Sequence, residues 1–257
     1  VFIMLTMAGV PMALALLGAF LAGMLAGLAT GFFHTVCGIP AILAGILTQL
    51  ALYSVNLRIM GQANQPISFR SYDLLVSSRN VKSLSLENPI LIGVIFAAVI
   101  IALLYWFFGT ELGCSLRATG ANANMARAQG INTNVAKVLG LMLSNGLVAL
   151  SSALLAQYQG FADVNMGRGA IVIGLAAVII GEVLFSKIFH NFALLLLSVV
   201  IGSVLYYVVY NVVIWLGLNT DDMKLITALI VALFLSIPYW KGKYFSKSSK
   251  KGAASHA

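Results

Sequence analysis

Seven apolar runs decide what this chain can fold into. A helix needs about 20 apolar residues to cross the hydrocarbon core of a bilayer. Residues 7–33, 40–60, 89–108, 135–157, 191–216 and 223–240 all read as crossings, and Val1–Leu5 reads as the end of an earlier one. A seventh run, 169–181, has only 13 residues; Glu182–Phe185 complete it, or it is one half of a broken helix lining a cavity. Only 9% of the residues are charged, whereas a soluble domain carries about 25%. So few polar groups cannot cover a water-facing surface, which excludes a soluble globular enzyme. The expected fold class is an all-α, polytopic integral membrane protein over residues 1–240, with a basic tail over 241–257.

Charge then orients the crossings, because Lys and Arg concentrate on cytoplasmic loops. The densest cluster is Lys241, Lys243, Lys247, Lys250 and Lys251, so the C-terminus is expected in the cytoplasm. Counting back places Lys187, the segment with Arg117, Arg127 and Lys137, and His34 with Cys37 on the same side. Asp221, Asp222 and the loop 61–88 fall outside. The net charge of +8 serves orientation rather than nucleic-acid binding, since no basic patch is interleaved with stacking aromatics. Cys37 and Cys114 lie far apart and outline no disulfide framework or metal site. A first residue of Val leads to the expectation that the chain begins within a longer product, and no charged region ahead of an apolar run marks a signal peptide.

Small residues recur where helices must meet. Ala15, Ala19, Gly23, Gly27 and Gly31 stand at every fourth position, and Gly167, Ala170, Gly174, Ala177 and Gly181 at spacings of three and four. Such faces bring membrane helices into close contact, within one subunit or between two copies. Intramembrane ionisable groups, the usual mark of a coupled ion, are nearly absent. Glu182 has a structural role, capping or pairing with Lys187, or a gating one. Ser144, Asn145, Ser151, Ser152 and Gln157 lie within the run 135–157 and line a pathway or bond across helices.

Catalytic constellations are missing. His34, His190 and His256 sit near membrane ends or in the tail, and no phosphate-binding loop of the G-x-x-x-x-G-K-[ST] type occurs. The chain is therefore not expected to hydrolyse ATP or to hold a cofactor or metal of its own.

The stretch Arg117 to Asn134 is too polar for the bilayer and too apolar for a plain loop. Thr119 or Asn122 can cap a short helix, Gly130 fits its stop, and Asn132 or Asn134 opens the next crossing. Its Ala, Asn, Met and Arg surface suits a groove in another protein, or belongs to an ordinary solvated connector.

Within it, Gly120-Ala-Asn-Ala-Asn-Met-Ala-Arg-Ala-Gln-Gly-Ile131 resembles the cytoplasmic coupling motif of permeases from bacterial ABC importers of the branched-chain amino acid and ribose permease superfamily. Together with Leu43–Gly61 and Gln159–Glu182, it is similar to the permeases of tryptophan/tyrosine-type importers. The likeness runs from about Ala15 to Tyr239 and departs at the start, where that family has a further helix and an apolar stretch upstream.

The resemblance implies a type II-like permease of the bacterial cell membrane, working as a homodimer. It implies a separate ATPase, carrying ATP and Mg, docked through Gly120, Ala121, Asn122, Met125, Ala126, Arg127, Gly130 and Ile131. An extracytoplasmic solute-binding protein, a lipoprotein in Gram-positive relatives, would deliver the solute. The loop 61–88, with Arg70, Asp73, Arg79, Lys82 and Glu87, is a candidate surface for it or is merely solvated. Ser144, Asn145, Ser151, Met166, Gly167 and Arg168 are candidate pathway residues, and Glu182 a candidate gate. An aromatic amino acid is the first expectation for the solute, with a branched-chain amino acid or another small solute open. An ion-coupled secondary transporter is the alternative from another class; such proteins usually carry acidic or His relays and internal repeats.

Overall fold

The computed structural model describes residues 1–67, 75–76, 88–167, 170–185 and 191–215, together with 225, 228, 229, 232 and 236. The chain divides into two compact units, Val1–Met166 and Gly167–Ala257.

In the first unit, α1 (Phe2–Met7) is a short helix of its own. The turn after it needs a left-handed residue, supplied by Gly9 at φ +79°, and Pro11 then starts α2 (Met12–Thr35). The expected crossing at 7–33 thus begins later, because Gly9 and Pro11 interrupt the apolar run. Next come α3 (Ala41–Met60), α4 (Pro89–Gly109), α5 (Glu111–Ala121), α6 (Ala123–Ala128) and α7 (Thr133–Gln159). Two three-residue strands, β1 (Asn64–Pro66) and β2 (Phe161–Asp163), pair antiparallel with Asn64 opposite Asp163 and Pro66 opposite Phe161.

The two faces of α2 show what organises this unit. Leu14, Leu17, Leu21, Leu25 and Leu28 follow one another at three- and four-residue steps and are all exposed. In water such a stripe would demand cover, whereas in a bilayer an apolar face needs none. The opposite face is the ladder Ala15, Ala19, Gly23, Gly27 and Gly31, all buried. It lies directly on α7: a Cβ at Gly23 would fall 2.5 Å from Ala149 Cβ, and one at Gly27 would meet the carbonyl of Leu141 and lie 2.7 Å from Met142 Cα. From the other side, Gly146 of α7 admits the ring of Phe20. Backbones this close replace hydrophobic pressure with van der Waals contact. The first ladder is therefore used within the chain, and that face of α2 is not available to a second copy.

One polar contact joins α2 to α3. Thr30 Oγ1 donates to Thr48 Oγ1 at 2.9 Å, while Thr48 Oγ1 donates to the Ala44 carbonyl of its own helix. A second core gathers Phe2 and Ile3 of α1, Ala15, Leu16 and Ala19 of α2, Ile67 after β1 and Ala153 of α7, with Phe96 of α4 against it. It fastens the small strand pair to the end of α7 that leads into β2.

In the second unit, α8 (Ala170–Phe185) and α9 (Phe192–Trp215) pack through the later part of the second ladder. A Cβ at Gly181 would strike the Ser198 carbonyl, and one at Gly202 the Ala177 carbonyl. Ala176, Ile180 and Tyr206 form the small core between these helices. Gly174 has open space beside it. The short run 169–181 is thus completed through Phe185 as one helix of 16 residues from Ala170.

Five helices among the described residues are long and apolar enough to cross a membrane: α2, α3, α4, α7 and α9. The chain is a helical, multi-pass membrane protein. Of the seven runs, α8 stays below crossing length, and 223–240 falls largely outside the described residues, as do Lys187 and the tail.

Candidate functional site

The segment between α4 and α7 is built by side-chain caps at each corner. Thr110 Oγ1 accepts from the Gly113 N–H at 3.3 Å and starts α5. Asn122 then ends α5 and opens α6, its Oδ1 accepting from the N–H groups of Asn124 and Met125, both at 3.1 Å. Asn132 repeats the device for α7, accepting from Asn134 at 3.2 Å and Val135 at 3.3 Å. Between the caps, α6 ends with Gly130 at φ +83°. The Gly130 N–H bonds the Arg127 carbonyl and the Ile131 N–H bonds the Ala126 carbonyl. This double closure is favoured when the left-handed residue is glycine.

Of the sequence-stated alternatives, Asn122 is the cap and Thr119 is not. Thr119 is buried inside α5, donating to the Ser115 carbonyl at 2.8 Å. Asn132 is the second cap, and Asn134 supplies one of its donors. The segment holds two helices where one was expected, because the chain before Asn122 already satisfies a helix started by Thr110.

The exposed side of this segment is narrower than its composition suggested. Gly120, Ala121, Asn122, Met125, Arg127 and Gly130 face outward, and Ile131 is half-buried. Met125 is 59% exposed, a large apolar side chain at the centre of α6. Ala126 is 3% exposed, so it holds α6 to the body rather than presenting a surface. Arg127 Nη2 donates to Thr133 Oγ1 at 3.2 Å, a link between α6 and the first turn of α7 that the sequence did not signal.

The polar residues of α7 separate into three roles. Ser144, Ser151 and Ser152 lie with Val148, Leu155 and Tyr158 on a face exposed within this chain. Asn145 is half-buried, and its Nδ2 donates to the Leu141 carbonyl one turn back at 2.8 Å. Gln157 does bond across, accepting at Oε1 from the backbone N–H groups of Leu75 at 3.1 Å and Val76 at 3.4 Å. Beyond β2, Met166 is half-buried and its N–H bonds the Asp163 carbonyl at 3.1 Å; Gly167 is exposed, and Arg168 lies outside the described residues. Glu182 is exposed on α8, one residue past the glycine that meets α9, and its named partner Lys187 is outside the described residues. No group of His, Cys, Asp or Glu able to hold a metal occurs among the described residues.

Residues 1–236 match the family of branched-chain amino acid transport system permease components. The chain belongs to that permease family. The permease is 40% identical to a tyrosine transport system permease protein of Clostridioides difficile (strain R20291), over 89% of its own length and 74% of the relative's. It is 34% identical to the protein RP368 of Rickettsia prowazekii (strain Madrid E), over 86% and 78% of the two chains. It is also 29% identical to the autoinducer 2 import system permease protein LsrC of Yersinia pseudotuberculosis (serotype O:1b), over 68% and 48%. No solved structure matches the permease. It is an ABC-type permease for small solutes, a transport component.

Proposed function

We propose that this permease forms the translocation path of an ATP-driven importer for an aromatic amino acid, with α6 as its contact to a separate ATPase. The observation that carries the reading is Met125: a large apolar side chain left exposed on a six-residue helix that is capped at both ends and tied to α7. A rigid, small helix with one protruding apolar group fits a groove in a partner. Gly120, Ala121, Asn122, Arg127, Gly130 and Ile131 frame it.

Two copies enclose one path, lined in part by Ser144, Ser151 and their neighbours on the exposed face of α7; Met166 to Arg168 and Glu182 belong to the same proposal. A solute-binding protein delivers the substrate at the opposite end, and the C-terminal tail lies in the cytoplasm. ATP binding draws the paired ATPases together, α6 follows, and the membrane helices exchange one access state for the other. Such switching requires a contact that differs between the two states. The name of the Clostridioides relative supports the aromatic solute over a branched-chain one. The scarcity of acidic groups within the crossings supports ATP over an ion gradient as the driving force.

The test is co-purification from the native membrane in mild detergent, with partners identified by mass spectrometry, beside uptake of labelled tyrosine and tryptophan into vesicles. A stoichiometric partner with a phosphate-binding loop, lost in Met125→Asp, is the expected result. Uptake that survives ATP depletion would sink the reading and favour the ion-coupled alternative. Competition by leucine or valine, but not tyrosine, would move the solute to the branched-chain class.

A further inference from the structure

The segment α5–α6 rests on one stripe of α7 at two points. Leu116 of α5 lies against Gly140, where an added Cβ would come 3.0 Å from the Leu116 Cδ2. Arg127 of α6 reaches Thr133, its Nη2 donating to Oγ1 at 3.2 Å. Thr133 and Gly140 stand seven residues apart, two turns of helix, so both points lie on one face about 10 Å from each other. The apolar contact has no preferred direction, whereas the hydrogen bond does.

Thr133 differs from the other threonines inside the described helices. Thr6, Thr30, Thr35, Thr48 and Thr119 each donate to the carbonyl four residues back in their own helix. Thr133 is the first residue of α7, and the residue four back, Gln129, is the cap of α6. That common way of satisfying a helical hydroxyl is therefore closed to it. It is also 3% exposed, and Arg127 is the hydrogen-bond partner of its side chain among the described residues. Arg127 is held at its backbone as well, because the Gly130 N–H bonds its carbonyl. Exposed as it is, the arginine is anchored at both ends.

We infer that Arg127 is a positioning residue that fixes the angle of α6 on α7, so that a displacement of α6 is delivered to α7. Its guanidinium serves this chain rather than the docked partner, and the buried Thr133 hydroxyl is the other half of the tie. Met125 meets the ATPase, and Arg127 passes the movement on. The tie stands on the geometry of the chain alone; its part in coupling rests on the importer reading.

The first experiment reads the tie in the full chain in lipid nanodiscs, with no partner present. Cys37 and Cys114, both exposed, are replaced by Ser, and a fluorophore is attached at Met125→Cys on α6. Thr133→Val removes the acceptor at nearly constant shape, and Arg127→Ala removes the donor. Each is expected to raise the amplitude of nanosecond wobble in time-resolved anisotropy about twofold. The double variant should add nothing further, as for two residues acting through one bond. Thr133→Ser keeps the hydroxyl and should restore the parental amplitude. Thr133→Ala replaces the Val form should that form not survive gel filtration as a single species. Parental wobble in the Arg127 and Thr133 variants overturns the tie.

The second experiment keeps Met125 and measures uptake into vesicles of labelled tyrosine, or of labelled leucine where the parent imports that instead. Thr133→Val should retain the ATPase on co-purification and lower uptake about fivefold, a size typical of couplings between sites. Arg127→Ala should match that loss, and Thr133→Ser should recover it. An ATPase lost from Arg127→Ala but not from Thr133→Val would make Arg127 a docking contact and overturn the assignment. A loosened α6 with unchanged uptake overturns the role in coupling. Failure of the importer reading would look different. The parent itself would then bring no ATPase and keep its uptake without ATP, while the wobble ratios, measured on the permease alone, remained.

Discussion

The guanidinium of Arg127 donates to Thr133 Oγ1, joining the last turn of α6 to the first turn of α7. Thr133 is buried and Arg127 exposed, so the bond spans the boundary between the body of the helix bundle and its projecting segment. Together with the Asn122 and Asn132 caps, it makes α6 an extension of α7 rather than a free loop. A helix of 27 residues, about 40 Å at 1.5 Å per residue, then links α6 to Gln157 at the far end.

Removing a cap should be felt locally and measurably. Asn122→Ala and Asn132→Ala are each expected to cost about 1 kcal/mol, the usual worth of an Asn cap. Asn134→Ala, which leaves the Asn132 oxygen and its backbone donors intact, should stay within about 0.5 kcal/mol. Thermal melts in one detergent compare the three, and equal losses would refute the cap assignment.

Met125 and Ala126 are neighbours in sequence with opposite environments, and Asp at each separates docking from folding. Ala126→Asp places a carboxylate in a buried position and is expected to destabilise by about 3–5 kcal/mol, as an unpaired buried charge does. Met125→Asp should leave the melt within about 0.5 kcal/mol of the parent, since the site is exposed. A Met125→Asp protein that melts as early as Ala126→Asp would remove the distinction.

The α2 glycine face gives a sharper contrast. Gly27→Leu must push α2 away from the Leu141 carbonyl and Met142, and a loss of about 3 kcal/mol or more is expected. Gly93→Leu on α4 meets nothing within 4 Å and should be nearly neutral. An unaltered melting temperature for Gly27→Leu would mean that α2 and α7 are not packed in this way.

The hydroxyl pair Thr30–Thr48 tests how much polar contact adds between α2 and α3. A double-mutant cycle of Thr30→Val and Thr48→Val should return a coupling of about 0.6 kcal/mol, the average for such bonds inside membrane proteins. Each hydroxyl also has a carbonyl one turn back on its own helix, at 3.1 Å for Ala26 and 2.9 Å for Ala44, which keeps the coupling small. A coupling beyond about 2 kcal/mol would contradict that.

Much of this was legible before any coordinates. Apolar length places α3, α4, α7 and α9 within a few residues, since a bilayer demands it directly. Small-residue spacing marks the α2 face, though only the structure shows that its partner is α7 of the same chain. Asn122 and Gly130 were readable because capping is a local act. Other features were not. Ala126 and Met125 are both compatible with a surface helix, and which one turns inward depends on where α6 is tied. The three-residue strands carry no periodicity, and the Gln157 contact joins positions more than 80 residues apart by backbone groups that any sequence would offer.

The β1–β2 pair also says something about how the protein is made. Asn64 and Asp163 are 99 residues apart, and chains are synthesised at about 5–20 residues per second. The strand after α3 therefore waits on the order of 5–20 s for its partner to leave the ribosome. A nascent chain arrested before Phe161 carries its early crossings with β1 still unpaired, exposed to whatever assists insertion at that point.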